Sequence, residues 1–295
     1  MKRLLITGAN SYIGSSLDKY IKEHYSSDIF VDTIDMIDGS WKNKAFSSYD
    51  VVFHVAGIAH VDVGKSNEAT KQRYYSVNTD LAIETCKKAK SEGVKQFVFM
   101  SSVIIYGESA SFKKQNVITK DSVPSPVNCY GDSKWKAELG IRELENEDFI
   151  VTVLRPPMIY GKGCKGNYPK LSKIAKKSPF FPLIENERSI LYVENLCEFL
   201  CQVIMRGERG IFWPQNPEYI QTSNIVKLIS SVNNHRVFVS KGWNWLVYIS
   251  RVLPGKPRKL ADKAFGNLVI DKSLSKYDFD YQIYSLEESI RRTEE

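Results

Sequence analysis

The sequence predicts an α/β fold, a doubly wound parallel sheet with a smaller C-terminal region. Three observations carry that expectation. Short apolar runs rich in β-branched and aromatic residues recur at 3–7 (RLLIT), 49–57 (YDVVFHVAG), 94–102 (VKQFVFMSS) and 149–156 (FIVTVLRP). Each is separated from the next by enough chain for a helix, and strands without polar alternation are those covered on both faces. A glycine-bearing turn, TGANSYIG, joins the first run to the first helical pattern.

In chain order, the turn sets Gly8 and Gly14 where a tight bend and a close helix–strand contact would let backbone amides hold a pyrophosphate, with Asn10, Ser11, Tyr12 and Ile13 between them. Ser11 stands where a three-glycine fingerprint has its middle glycine, so the turn alone fits an ordinary strand–turn–helix equally well. The helix IGSSLDKYIKEH follows, and the second strand falls in FVDTIDM, which offers Asp32 and Asp35 as the acid expected near its end. Asp35, nearer the strand end, is preferred. A carboxylate there accepts from ribose hydroxyls and repels a 2′-phosphate, which favours NAD while leaving NADP open. One long helix is expected over 69–93, stopped by Gly93. The next helix contains CYGDSKWKAE, where Tyr130 and Lys134 are four residues apart and so share one helix face. Alone, that spacing fits any amphipathic helix. After about residue 160 the rhythm loosens in RPPMIYGKGCKGNYP and SPFFP. The expected division is 1–160 for a dinucleotide-binding domain, with 186–216 returning to it, and 161–295 mainly for substrate.

Composition narrows the class. A chain of 295 residues with 43% hydrophobic and 25% charged residues is ordinary globular protein. The net charge of +7 is scattered, which suits an anionic small ligand and gives no nucleic-acid footprint. The five cysteines form no CxxC pair, and Cys197 and Cys201 read as small helix-packing residues, so no metal or disulfide is expected. His60 has no partner at ligand spacing and is assigned to surface or packing. The chain enters a strand pattern at once and has no window of membrane-spanning length, so a cytoplasmic location is expected. In KGWNWLVYISRVLPGKPRK, residues 241–259, an aromatic stripe meets basic residues; packing of the substrate region is the preferred reading, and membrane contact is not expected.

Taken together, TGANSYIG, HVAG at 54–57, SSVIIYG at 101–107, YGDSK at 130–134 and LRPPMIYGKG at 154–163 occur in the order and spacing of the extended short-chain dehydrogenase/reductases. The chain resembles the Rossmann-fold, NAD-dependent nucleotide-sugar epimerase/dehydratase branch of that family over nearly its whole length. ERSILYVENLCEFL and the C-terminal LVIDKSLSKYDFDYQIYSLEESIRRT extend the likeness. It is similar to enzymes acting at C4 of UDP-sugars, both UDP-glucose 4-epimerases and the 4-keto reductases that form UDP-N-acetylquinovosamine, and RPPMIYGKGCKGNYPKL leans toward the latter.

The resemblance implies roles. Tyr130 would be the general acid/base at the sugar hydroxyl, with Lys134 lowering its pKa and bonding the nicotinamide ribose, and Ser102 bonding the same substrate oxygen. Val55, Ala56, Gly57, Asn78, Ser101 and Pro157 would line the cofactor. Met158, Asn167 and Arg188 would meet a UDP-hexose or UDP-N-acetylhexosamine, a substrate of surface-polysaccharide precursor synthesis, and a guanidinium fork suits the diphosphate. The helices over about 69–92 and from Tyr130 would pair across a two-fold axis in a homodimer. Two departures stand out: Met158 replaces an asparagine of many 4-epimerases, and the segment between Asp35 and YDVVFH is short. The alternative is a catalytically idle dinucleotide-binding regulator, which would keep the glycine turn and lose the Tyr–Lys–Ser set.

Overall fold

Six parallel strands form the central sheet of the computed structural model, which describes residues 1–59, 68–107, 115–253 and 255–295 and so leaves His60 outside. They are β1 (Lys2–Thr7), β2 (Ile29–Ile34), β3 (Val51–His54), β4 (Gln96–Met100), and the strands Ile150–Leu154 and Gly210–Phe212. From one edge the order is β2, β1, β3, β4, then Ile150–Leu154 and Gly210–Phe212. The apolar runs are explained by two cores. Leu4, Ile6, Val51, Phe53, Val98 and Met100 point into one, while Leu5, Val52, Phe97, Phe99, Val151 and Val153 point into the other. Successive side chains of a strand face opposite ways, so a sheet covered on both faces needs apolar residues at every position.

The helices are α1 (Tyr12–His24), α2 (Glu68–Tyr75), α3 (Leu81–Ser91), α4 (Cys129–Arg142), α5 (Tyr168–Lys177), α6 (Val193–Arg206), α7 (Thr222–Val232), α8 (Asn244–Val252), α9 (Lys256–Phe265) and α10 (Leu286–Glu294). On one face α1 packs on α6; on the other, Ala82, Cys86 and Ala89 of α3 and Ala137 and Ile141 of α4 fill the second core. The single helix expected over 69–93 is two helices joined by a π turn, Ser76–Asp80. The physical reason is Asn78, whose side chain turns away to bond Ile58 and Ser133. Gly93 ends α3 at φ +83°.

Between β2 and β3 the short segment forms only a 3-10 turn, Ser40–Asn43, anchored by the buried Trp41. Asp32 ties this loop down by accepting from Lys44 and Tyr49, each at 2.6 Å. Because the chain leaves β1 toward β2 and returns to its other side as β3, the strand order reverses there. Ligands of such sheets bind outside the carboxyl ends at that point. The C-terminal region adds two short parallel pairs, Met158–Tyr160 with Ile190–Tyr192 and Phe180–Pro182 with Phe238–Ser240.

One ion pair seats α4 on the sheet. Glu138 is 0% and Arg155 4% exposed. Arg155 makes a two-pronged contact, with Nε donating to Glu138 Oε2 at 3.1 Å and Nη2 to Oε1. Ser101 Oγ donates to the same carboxylate at 3.0 Å, and the guanidinium also donates to the Tyr106 hydroxyl. The rings of Tyr106, Trp135 and Trp213 surround it at 5.3, 5.7 and 5.4 Å. Removing one partner strands a buried charge, which typically costs about 3–5 kcal/mol, whereas apolar replacement of both is close to neutral. Urea unfolding should show Glu138→Leu losing about that much and Glu138→Leu/Arg155→Met recovering most of it. Equal losses in the single and double variants would contradict the pairing.

Candidate functional site

At the reversal point the glycine turn comes first. Gly8 has φ +92°, donates to Ile34 O at 2.8 Å, and a Cβ there would lie 2.9 Å from Ala56 N. Only glycine permits both that conformation and that approach. Ser11, at the middle-glycine position, caps α1 by accepting from Gly14 N at 3.0 Å, and a Cβ on Gly14 would meet Ser11 Oγ at 2.7 Å. The N-terminal amides of α1 thus face the crevice, a favourable seat for an anion. Tyr12 and Ile13 contribute through backbone alone, since Ile13 packs on the core and a Cβ on Gly161 would lie 2.6 Å from the Tyr12 hydroxyl. That hydroxyl is buried without a hydrogen-bond partner among the described residues, and burial pushes its pKa up.

Asp35 follows β2 directly. It accepts from Asn10 Nδ2 at 3.1 Å and from Ile37 N at 2.9 Å. Asp32 is consumed by Lys44 and Tyr49, so Asp35 is the carboxylate beside the turn.

On the other side of β1, Val55 and Ala56 are nearly buried beyond β3. Asn78 clasps the next residues, accepting from Ile58 N at 2.8 Å while donating to Ile58 O at 3.0 Å and Ser133 Oγ at 3.1 Å. A Cβ on Gly57 would sit 3.0 Å from Asn78 Oδ1 and 3.3 Å from Lys134 Nζ. Gly57 therefore keeps open the space beside the lysine. His54, bonded through Nδ1 to Thr7 Oγ1 at 2.8 Å, is fully buried and its pKa falls to about 3, first through desolvation and then through the Lys134 charge.

The α4 residues complete the cluster. Asn128 caps the helix by accepting from Gly131 N at 2.9 Å, which sets Tyr130 in its first turn. Ser102 lies beside the Tyr130 phenol, and Ser102 Oγ accepts from Ile104 N at 3.3 Å. Burial and the neighbouring Tyr74 push the phenol up to about 12 against the opposing influence of Ser102. Lys134 Nζ donates to Met100 O at 2.8 Å and lies 4.9 Å from the centre of the Phe99 ring. Its burial pulls it from 10.5 down to about 8. The expected lowering of Tyr130 below its ordinary value is not what this geometry gives, because desolvation dominates and the ammonium is engaged by Met100. Ser101 also departs from expectation. Its side chain turns inward to Glu138 and leaves only backbone for the crevice.

These residues fit a dinucleotide. The glycine approach, the α1 amides, Asp35 and an ammonium with no carboxylate partner among the described residues supply pyrophosphate, ribose and nicotinamide-ribose contacts along one crevice.

Beyond the crevice, Pro157 is buried, and Met158, Asn167 and Arg188 line a cavity of about 530 Å³. Arg188 Nη1 donates to Lys263 O at 2.7 Å and Gly266 O at 3.2 Å, and burial draws its pKa down to about 10. Part of the guanidinium fork thus anchors the end of α9. The sequence reading missed the rest of this cavity, Leu246 and Val247 of α8 and Phe265 of α9 among it. Their signal is the apolar stretch NWLVYISRV.

A family model described as the NAD dependent epimerase/dehydratase family matches residues 4–212. The chain belongs to this family. It is an NAD(P)-dependent enzyme of the extended short-chain dehydrogenase/reductase type. Among relatives of this epimerase/dehydratase, a UDP-glucose 4-epimerase of Vibrio cholerae is 25% identical, covering 99% of this chain and 94% of the relative. An N-acetyl-α-D-glucosaminyl-diphospho-ditrans,octacis-undecaprenol 4-epimerase of Escherichia coli O157:H7 is 30% identical over 67% of this chain and 58% of its own length. A solved dTDP-4-dehydrorhamnose reductase from Clostridium acetobutylicum shares the fold at TM-score 0.73 and 18% identity, covering 99% of this chain and 98% of that one.

The buried ammonium has a measurable cost. With a folded pKa of about 8 against 10.5, folding disfavours the charged form, so stability rises as pH climbs between those values. Lys134→Met should stabilise the epimerase/dehydratase at pH 7 by up to about 3 kcal/mol while abolishing turnover. It should also flatten the pH slope in urea unfolding at pH 7 and 9.5. A variant less stable than wild type at pH 7 would contradict the account.

Proposed function

We propose that this chain exchanges hydride at C4 of a UDP-hexose or UDP-N-acetylhexosamine, as a 4-keto reductase or 4-epimerase, in surface-polysaccharide precursor synthesis. Residues 1–160 hold the cofactor and 161–295 most of the substrate. The arrangement that carries this is Tyr130 in the first turn of α4 with Ser102 beside its phenol, next to a Lys134 ammonium with no carboxylate partner among the described residues, at the carboxyl ends of the sheet.

When bound, the nicotinamide cofactor accepts or supplies hydride. The chain does the rest. Lys134 presents its ammonium to the nicotinamide ribose, Asp35 accepts from the adenosine ribose and favours NAD over NADP, and Asn78 fixes the loop at Ile58. Ser102 bonds the C4 oxygen and aligns it with Tyr130. A phenol with its pKa near 12 is neutral at pH 7, ready to donate a proton to a C4 keto oxygen. An apolar Met158 in the cavity wall is consistent with the reductive direction. Arg188 and Asn167 stand by the diphosphate.

Tyr130→Phe should cut turnover by about 10²- to 10⁴-fold with cofactor affinity little changed, read by steady-state kinetics and NADH fluorescence titration. Unchanged turnover would remove Tyr130 from the role. A reductase consumes NAD(P)H stoichiometrically with a UDP-4-keto-6-deoxy-N-acetylhexosamine, whereas a 4-epimerase interconverts UDP-glucose and UDP-galactose without added cofactor. Interconversion with the keto sugar left untouched would exclude the reductase.

A second reading concerns the carrier. The cavity beside Asn167 and Arg188 is walled largely by apolar side chains, Leu171, Phe181, Val247 and Phe265 among them. The Escherichia coli relative is named for an undecaprenyl-diphosphate sugar. A polyprenyl diphosphate sugar assayed beside its UDP counterpart separates the two carriers. A homodimer through the helical stretch over about 69–92, α2 and α3, and α4 is also part of the reading, with Leu139 of α4 42% exposed. Light scattering at working concentration should give twice the monomer mass.

A further inference from the structure

Six of the nine residues of α8 are apolar or aromatic, yet of its side chains only Val247 is buried. Leu246 and Val247 line the cavity wall, in keeping with a packing role. Trp245, Tyr248, Ile249 and Val252 fall at i, i+3, i+4 and i+7, a single outward stripe, with exposures of 52, 45, 51 and 85%. Leu253 continues it at 48%. Just before α8, Trp243 packs on the exposed Phe180 with ring centres 4.7 Å apart and planes tilted by 39°, and Phe180 pairs across strands with Phe238, 63% exposed. Ile174 of α5, 42% exposed, shares the cavity rim with Leu246. A contiguous apolar surface of this kind, made by a helix in water, marks an interaction site.

Its charge surroundings choose the partner. Residues 168–177 contain four lysines and no acid, and residues 238–265 contain six basic residues and one acid. By sequence the two stretches carry +9, and two of those cations are paired with acids from elsewhere, Lys176 with Glu294 at 2.7 Å and Lys241 with Glu185 at 2.8 Å. Lys170 and Lys263 stand at the cavity itself. Tryptophan, tyrosine and aliphatic side chains on one helix face, bordered by lysine and arginine, match the boundary between acyl chains and anionic headgroups. No helix of the described residues is long and apolar enough to cross a membrane, so contact would be with the surface.

We propose that the outward face of α8, with Phe180 and Phe238, docks this enzyme on an anionic lipid bilayer. This goes beyond the reaction at C4 and does not depend on it. The test is co-sedimentation of the full chain with vesicles of equal phosphatidylcholine and phosphatidylglycerol, with phosphatidylcholine alone as control. A triple variant, Trp245→Ser/Ile249→Ser/Val252→Ser, changes three residues that do not line the cavity. Wild type should sediment with the anionic vesicles, release at 1 M salt (roughly a 3 Å screening length), and show blue-shifted tryptophan emission. The triple variant should bind at least about tenfold more weakly while keeping its thermal midpoint and its cofactor affinity. Wild type left in the supernatant, equal binding by the folded triple variant, or a soluble dimer that the triple variant converts to monomer would each overturn the proposal.

Discussion

The pairing of Glu138 with Arg155 is the constraint on which the site's geometry depends. It joins α4 to the end of the strand Ile150–Leu154, and through Ser101 to the end of β4. Lys134 and Tyr130 lie one and two turns before Glu138 on the same helix, so anchoring the carboxylate fixes the depth and rotation of both. A two-pronged guanidinium contact is directional as well as strong, which a purely apolar seat for α4 would not be. Asn128 at the helix start and the Asn78–Ser133 bond hold the remaining freedom.

This anchoring lets the sheet carry a partly buried polar cluster at its carboxyl edge. Phe99 packs against the lysine at 4.9 Å with His54 stacked behind it, and His54 stays neutral there instead of adding a second cation. Desolvation then governs both titrating groups of α4. It raises the phenol and lowers the ammonium, moving each toward its uncharged form. A site so arranged trades stability for readiness, since the ammonium would be better solvated in the unfolded chain.

Much of the architecture was legible because the sheet is covered on both sides, which writes uninterrupted apolar runs into β1, β3, β4 and the strand Ile150–Leu154. The Tyr130 and Lys134 spacing gave the helix face, and the position of Asp35 just past β2 singled it out over Asp32, whose bonds to Lys44 and Tyr49 are invisible in sequence. Other features depend on contacts between distant residues and leave no local periodicity. The π turn at Asn78 serves bonds to Ile58 and Ser133, Ser101 turns inward because Glu138 lies opposite, and Arg188 is shared with the end of α9. The stripe on α8 could be read as apolar, but its outward orientation needed the cavity wall of Leu246 and Val247 to define which side faces in.

The account stands on hydride exchange at the sugar's C4 in the crevice between the glycine turn and α4. Supplying a 4-keto sugar with NADH deuterated at the transferring position, and locating the label in the product by NMR, tests this most directly. The account predicts deuterium on C4 of the sugar alone. Label at another carbon, or reduced product carrying no label, would contradict it.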